Sequence, residues 1–281
     1  NKLPEKGSNQ GLQPLQQTKD IKGGYRVQAL ILAAGFGKRL YPITKKLPKA
    51  LVEVNGVPLL VNALNNLSLY EVNEVVIVVG HMKNKIIEHI GHEYKGMKVT
   101  YVENPQYLNT NNVYSFYLAR DYVYDDLIML ECDLFYRKEV IEAIINDKSD
   151  CNILVSPFNK STMDGTVIKT NDMRIAKALY IKKNQTDGFD YQGMMKTVNI
   201  YKFSKHFVLE KFLPAVENYI KTQSSQSYYE LVLGSLIYFG NDNIKVTIIP
   251  ESEWCEIDNV EDLKRAEQMF SSANHRNDGK L

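Results

Sequence analysis

The chain has 281 residues, 44% of them hydrophobic, and a formal net charge of +1. This near-neutral balance excludes the basic footprint of a nucleic-acid binder, and no apolar run reaches the roughly 18 residues that a membrane span needs. Three scattered cysteines, Cys132, Cys151 and Cys255, do not make a disulfide framework or a Cys/His metal site, and they fit a reducing, cytoplasmic setting.

Residues 1–24 are rich in Gln, Lys and Gly without periodicity and read as a flexible leader; 271–281 read as a polar tail. The start is polar, with no signal-peptide pattern. Between these ends, apolar β-branched runs alternate with helical patterns. Val27–Leu32 is a buried strand, Val52–Val54 a short one, and Pro58–Leu69 a helix with Pro in its first turn. Val75–Val79, Val99–Val102, Leu127–Leu130 and Cys151–Val155 follow as strands, with helices over Lys83–Ile90, Tyr114–Tyr122 and Glu139–Ile145 between them. Repeated strand–helix units predict an α/β fold, a Rossmann-like doubly wound and mostly parallel sheet.

From about residue 156 the pattern changes. Gly165–Lys169 and Lys177–Lys182 alternate as antiparallel strands, joined by strands at Thr197–Phe203 and Val246–Ile249. Helices cover Val208–Lys221, Tyr228–Phe239 and Asn259–Phe270, the last with Glu261 and Asp262 in its first turn. One continuous domain over 25–270 is expected, with a ligand-binding half over 25–155 and a substrate-facing, acceptor-binding half over 156–270.

The first strand empties into Gly35-Phe36-Gly37-Lys38-Arg39, and Pro48-Lys49 follows. Glycines let backbone N–H groups face an anion, and Lys38, Arg39 and Lys49 supply charge to answer a polyphosphate. In a doubly wound sheet, ligands sit beyond the carboxyl ends of the strands. Lys38, Gly80, Asn104 and Asp133 all follow strands and are expected to share one cleft. Asp133, after Leu127–Leu130, and Asp258, before the last helix, can jointly hold one Mg²⁺. Read alone, Asp133 also fits a solvated residue after a strand, and a helix N-cap is the plainer reading of Asp258. Glu131 and Glu256 stand two residues before them, on the same faces, as supporting groups. Of the five histidines, His81 follows a strand and stands nearest a nucleotide, with a surface role as the plainer reading. A dehydrogenase G-x-G-x-x-G is not completed, since its third glycine position is Leu40.

The apolar strand, Ala33-Ala34-Gly35-Phe36-Gly37-Lys38-Arg39-Leu40 and then Pro48-Lys49-Ala50-Leu51 resemble the signature of the nucleotidyltransferases that activate sugar phosphates and related small phosphorylated compounds. The resemblance covers about 27–270 and implies that family's fold. It implies nucleotide binding by Leu32, Ala33, Ala34, Gly35, Gly37, Lys38, Lys49, Gly80, Asn104 and Asn111, with Lys38, Arg39 and Lys49 as the catalytic cations and Mg²⁺ on Asp133 and Asp258. The stretch Asn111-Asn112-Val113-Tyr114-Ser115-Phe116-Tyr117 resembles that of bacterial phosphocholine cytidylyltransferases. Met163 to Ser204, with the later Tyr228-Tyr229-Glu230, looks most like the cytidylyltransferases of phosphonate pathways. The expected substrates are CTP and a small amine-bearing acceptor, 2-aminoethylphosphonate ahead of phosphocholine, with a sugar 1-phosphate as the rival. Asn112, Tyr114, Ser115, Asp164, Lys196, Tyr228, Tyr229 and Glu230 are the acceptor candidates. Aromatic rings beside a carboxylate suit an ammonium group, while core packing competes for Tyr228 and Tyr229. A homodimer, or fusion to another biosynthetic domain, is left open.

Overall fold

A computed structural model describes residues 27–240 and 243–271. The expected leader over 1–24, and the tail beyond Ser271, lie outside these described residues. The strands are β1 (Val27–Ala33), β2 (Glu53–Val54), β3 (Val57–Pro58), β4 (Val72–Val79), β5 (Glu93–Tyr94), β6 (Met97–Glu103), β7 (Asp126–Glu131), β8 (Leu134–Tyr136), β9 (Cys151–Pro157), β10 (Val167–Thr170), β11 (Ala176–Tyr180), β12 (Met194–Phe203), β13 (Lys245–Ile248) and β14 (Trp254–Glu256). The helices are α1 (Leu59–Leu67), α2 (Lys83–Ile90), α3 (Asn112–Leu118), α4 (Lys138–Ile145), α5 (Lys205–Phe207), α6 (Leu213–Thr222), α7 (Tyr229–Phe239) and α8 (Val260–Met269).

A ten-stranded sheet runs β11-β10-β12-β7-β1-β4-β6-β5, with β9 and β13 joined beside β12. Its centre is parallel, β7, β1, β4 and β6 pointing one way. β12 enters antiparallel to β7, and β10, β11 and β12 pair antiparallel among themselves. The expected α/β architecture, with an antiparallel portion in the second half, is what forms.

Strand alternation explains the layering. In β1, Leu30 and Leu32 face a core shared with α3, α6 and α7, whereas Ala29, Ile31 and Ala33 face one shared with α1, α2 and α4. Both faces are covered, which is why Ala29–Ala33 of β1 and Val75–Val79 of β4 read as unbroken apolar runs. No described helix is long and apolar enough to cross a membrane.

Two local features position the cleft. β12 pairs with β10 through Met194–Lys196 and with β7 through Ile200–Phe203, and it changes neighbours at Asn199, whose φ is +60°. Asn tolerates the left-handed region better than most side chains. The small β8–β14 ladder ties the segment after Asp133 to the segment before Asp258, and the Ile257 N–H donates to the Asp133 carbonyl at 2.8 Å. Two carboxylates remote in sequence are thereby locked side by side.

Candidate functional site

The carboxyl ends of β1, β4, β6 and β7 open into a cleft of about 570 Å³. Its floor is fixed by short cross-links between strand ends. The Cys132 N–H donates to the Leu32 carbonyl (3.2 Å), the His81 N–H to the Ala34 carbonyl (3.3 Å) and the Asn104 N–H to the Val79 carbonyl (2.8 Å). Gly37 sits at φ +67°, and its carbonyl accepts from the buried Thr44 hydroxyl at 2.7 Å. Gly80 is required for another reason. A Cβ there would lie 2.7 Å from the Ala34 carbonyl oxygen and 2.9 Å from Tyr107 Cβ.

At the cleft's centre, Lys49 Nζ lies 2.8 Å from both Asp133 Oδ2 and Asp258 Oδ1, and Arg39 Nη2 is 2.8 Å from the same Asp258 oxygen. Burial acts to lower the Lys49 pKa, but the Asp133 and Asp258 carboxylates overcome it and hold the ammonium charged well above its usual range. Burial likewise opposes ionisation of Asp258, and Lys49 and Arg39 still keep its carboxyl below the ordinary value. The N-cap reading of Asp258 is set aside by geometry. Asn259 caps α8, in a reciprocal box with Asp262, and Asp258 is left to face the cleft. Asp133 Oδ1 is buried without a hydrogen-bond partner. An orphaned carboxylate oxygen beside a second carboxylate fits a divalent cation that takes oxygen ligands and completes its shell from substrate and water. Among the described residues no group of three or more His, Cys, Asp or Glu could hold a metal alone.

Beyond this centre lies an enclosed polar network. Glu131 Oε1 accepts from Asn112 Nδ2 and from the Tyr229 hydroxyl, both at 2.9 Å. The same Asn112 amide reaches Glu230 Oε2 at 3.3 Å, and its oxygen accepts the Tyr229 N–H. Thr166 donates to Glu230 Oε1 at 3.5 Å. Lys196, 1% exposed, donates to the Thr197 carbonyl (2.7 Å) and pairs with Glu256 (3.1 Å), which also accepts from Asn199 Nδ2 (3.0 Å). Burial raises all three carboxyl pKa values. Asp133 and Glu230 raise that of Glu131 further, hydrogen bonds from the Glu230 backbone and Asn112 oppose the rise at Glu230, and Lys196 limits that of Glu256 to about 7. The buried Lys196 cation thus pairs with Glu256 and acts on Glu230, whereas Glu131 is bonded only by neutral donors.

The cleft gathers most of the residues singled out in the sequence. Leu32, Ala34, Gly35, Gly37, Lys38, Arg39, Lys49, Asn104, Asn111, Asn112, Ser115, Asp133, Asp164, Lys196, Tyr228, Glu230 and Asp258 all line it. Four do not. Ala33 packs into the core on the α1 side. Gly80 sits behind Ala34 and Tyr107. Tyr114 is buried in the core on the α3 side, and the Tyr229 ring is buried there too, only its hydroxyl reaching the network through Glu131. Asn104 lines the wall as a buttress, its amide donating to Thr110 (3.0 Å) and Ser115 (3.1 Å) and its oxygen accepting from the Gln106 N–H (3.0 Å). Asn111 caps α3, and Asp164 pairs with Lys182 at the rim. Glu131 and Glu256, expected to stand behind the aspartates, line the cleft themselves, as do Tyr107, Thr166, Lys182 and Asn199. Two-residue alternation from Asp133 and Asp258 carried the signal for both glutamates; no local pattern marks Lys182.

The nucleotidyl transferase family profile matches residues 28–199. The chain is 33% identical over 245 residues to a CMP-5'-(3-aminopropyl)phosphonate synthase of Streptomyces rubellomurinus, a match covering 87% of this chain and 39% of that protein. The chain thus spans about two fifths of the length of that relative. It is 28% identical over 258 residues to a CTP:phosphoglutamine cytidylyltransferase of Campylobacter jejuni, covering 85% of this chain and 98% of that one. The fold is also that of a CTP:phosphocholine cytidylyltransferase from Streptococcus pneumoniae, with a TM-score of 0.71 at 21% identity over 88% of this chain and all of the other.

Proposed function

The chain belongs to the nucleotidyl transferase family, and from that premise we propose that it is a Mg²⁺-dependent cytidylyltransferase acting on a small phosphonate or phosphate that carries a primary amine, 2-aminoethylphosphonate fitting best. An anionic acceptor oxygen attacks the α-phosphorus of CTP. The bond to the bridging oxygen breaks, and pyrophosphate leaves. The nucleophile is already ionised, so the site needs alignment and charge screening rather than a general base. Lys38, Arg39 and Lys49 face the triphosphate, and Lys196 stands where it can meet the acceptor's phosphonate. When bound between Asp133 and Asp258, Mg²⁺ would polarise a phosphoryl oxygen and neutralise developing charge.

One observation carries the choice of acceptor. The inner end of the cleft offers the Glu131 and Glu230 carboxyls, joined by Asn112, and the aromatic residues lining the cleft are Tyr107 and Tyr228. A primary ammonium donates hydrogen bonds to carboxylates, whereas a trimethylammonium needs a cage of several aromatic faces. The names of the two relatives, an aminopropylphosphonate synthase and a phosphoglutamine enzyme, support cytidylyl transfer to amine-bearing acceptors.

The test is pyrophosphate release from CTP, UTP, ATP and GTP, each with 2-aminoethylphosphonate, 3-aminopropylphosphonate, phosphocholine and glucose 1-phosphate. Turnover is expected with CTP and the aminoalkylphosphonates. Phosphocholine as the better acceptor would overturn the carboxylate argument, and preferred use of UTP with glucose 1-phosphate would overturn cytidylyl transfer.

A further inference from the structure

His81 lies outside the cleft lining, yet it touches the one loop that the proposed reaction depends on. The flanks of the Gly35–Gly37 loop are held by the chain itself. Ala34 is tied through its carbonyl to the His81 N–H, and the Gly37 carbonyl accepts from the Thr44 hydroxyl. The centre is different. A Cβ on Gly35 would meet nothing within 4 Å. Phe36 carries the centre's side-chain contacts, its ring lying on the His81 imidazole with centroids 4.1 Å apart and planes tilted by 34°, and the Tyr41 ring standing farther off at 6.1 Å. Lys38 Nζ lies 5.5 Å from the same Phe36 ring. Behind His81 stands Tyr107, centroids 5.9 Å apart, which lines the cleft.

From this geometry we infer that His81 is a positioning residue: its ring is the platform that seats Phe36, and through Phe36 it sets the phosphate-facing loop and the Lys38 ammonium for the nucleotide. The imidazole acts here as a flat surface. Its Nε2 is buried without a hydrogen-bond partner, so the ring's polarity brings nothing at that atom, and any planar ring of similar size can serve. The inference rests on the reading that the loop binds a triphosphate.

The magnitude follows from the contact. An aromatic pair lost from one side of a loop lowers the ratio of seated to unseated forms by about three- to ten-fold, and nucleotide affinity falls by up to the same factor. In a calorimetric titration with CTP and Mg²⁺, His81→Ala is expected to raise the Kd about three- to ten-fold, while the acceptor KM at saturating CTP stays at the wild-type value. His81→Phe is expected to restore CTP affinity, with a melting temperature at or above that of wild type. The double variant Phe36→Ala/His81→Ala should bind CTP no more weakly than Phe36→Ala alone, because Phe36→Ala already removes the contact that His81 makes. Wild-type CTP affinity in His81→Ala, or a folded His81→Phe that fails to recover it, overturns the proposal. Absence of CTP binding by the unaltered protein would overturn the reading of the loop itself, and the role of His81 with it.

Discussion

Replacing Glu230 with Gln separates an acceptor-binding role from a structural one, because the two predict opposite changes in stability. The carboxyl lies on the cleft wall, within reach of Asn112 and Thr166. Burial raises its pKa, against the opposing hydrogen bonds from its backbone and Asn112 and the charge of Lys196. A carboxyl whose folded pKa is raised is ionised more readily in the unfolded chain, so it lowers stability as the pH climbs past the ordinary carboxylate range. Gln keeps the shape and an acceptor oxygen for Asn112 and removes that charge, so Glu230→Gln should melt at a higher temperature than wild type at pH 7. Function should move the other way. A hydrogen bond between charged groups contributes about 1.5–3 kcal/mol, and losing it from an acceptor ammonium corresponds to a roughly ten- to hundred-fold rise in the KM for 2-aminoethylphosphonate. The KM for CTP should not change. Steady-state pyrophosphate release, varying one substrate at a time, together with a thermal melt, reads both effects. A variant that loses stability and both affinities together would show Glu230 to be a packing residue and would refute the reasoning.

The remaining expectations concern the proposed metal ligands, a close backbone contact and one ion pair away from the site. Asp133→Ala or Asp258→Ala should cut Mg²⁺-dependent pyrophosphate release by about 100-fold or more with the far-ultraviolet dichroism unchanged, since Lys49 keeps one carboxylate partner in either variant; near-normal turnover would dismiss the pair as ligands. Gly80→Ala must push the Ala34 carbonyl or Tyr107 aside and should cost about 1–3 kcal/mol in urea denaturation, an effect that an unchanged midpoint would rule out. Asp147 is opposed by burial but bonded by Lys245 and Ser149, and its carboxyl is held down at about 2. Its folded pKa lies below the unfolded one, so its contribution is present above about pH 4 and is lost as the pH falls towards 2. Asp147→Asn should therefore cost about 1 kcal/mol at pH 7, allowing for solvent screening, and nothing near pH 2. A difference that persists undiminished in acid would argue for a packing effect instead.

The strands and helices were legible in the sequence because burial on both faces leaves continuous β-branched runs, as in Val75–Val79, and because amphipathic helices keep their period. The helix α3 shows where legibility stopped. Expected from Tyr114, it begins at Asn112 under the Asn111 cap. Asn112 and Ser115, three residues apart, then share the face lining the cleft, while Tyr114 turns into the core. Helical spacing alone could have parted these residues, had the cap been placed. No spacing could have shown why Asn112 matters. Its amide joins Glu131, 19 residues away, to Glu230, 118 residues away, and only the crossover of the sheet brings those carboxyls together. The same holds at the centre of the cleft, where Lys49 reaches Asp133 across 84 residues and Asp258 across 209. Lys196 and Asn199 enter the site through the change of neighbours in β12, a break that its apolar-rich sequence conceals. A motif of adjacent residues carries what the local backbone must do, such as turn tightly or expose amides to an anion. A site that binds charge needs opposite charges held near one another against their tendency to be solvated, and the rigid strand ends of a sheet can hold them there. For that reason the family could be read from the first loop, whereas the groups proposed to recognise the acceptor are ones that only the folded sheet assembles.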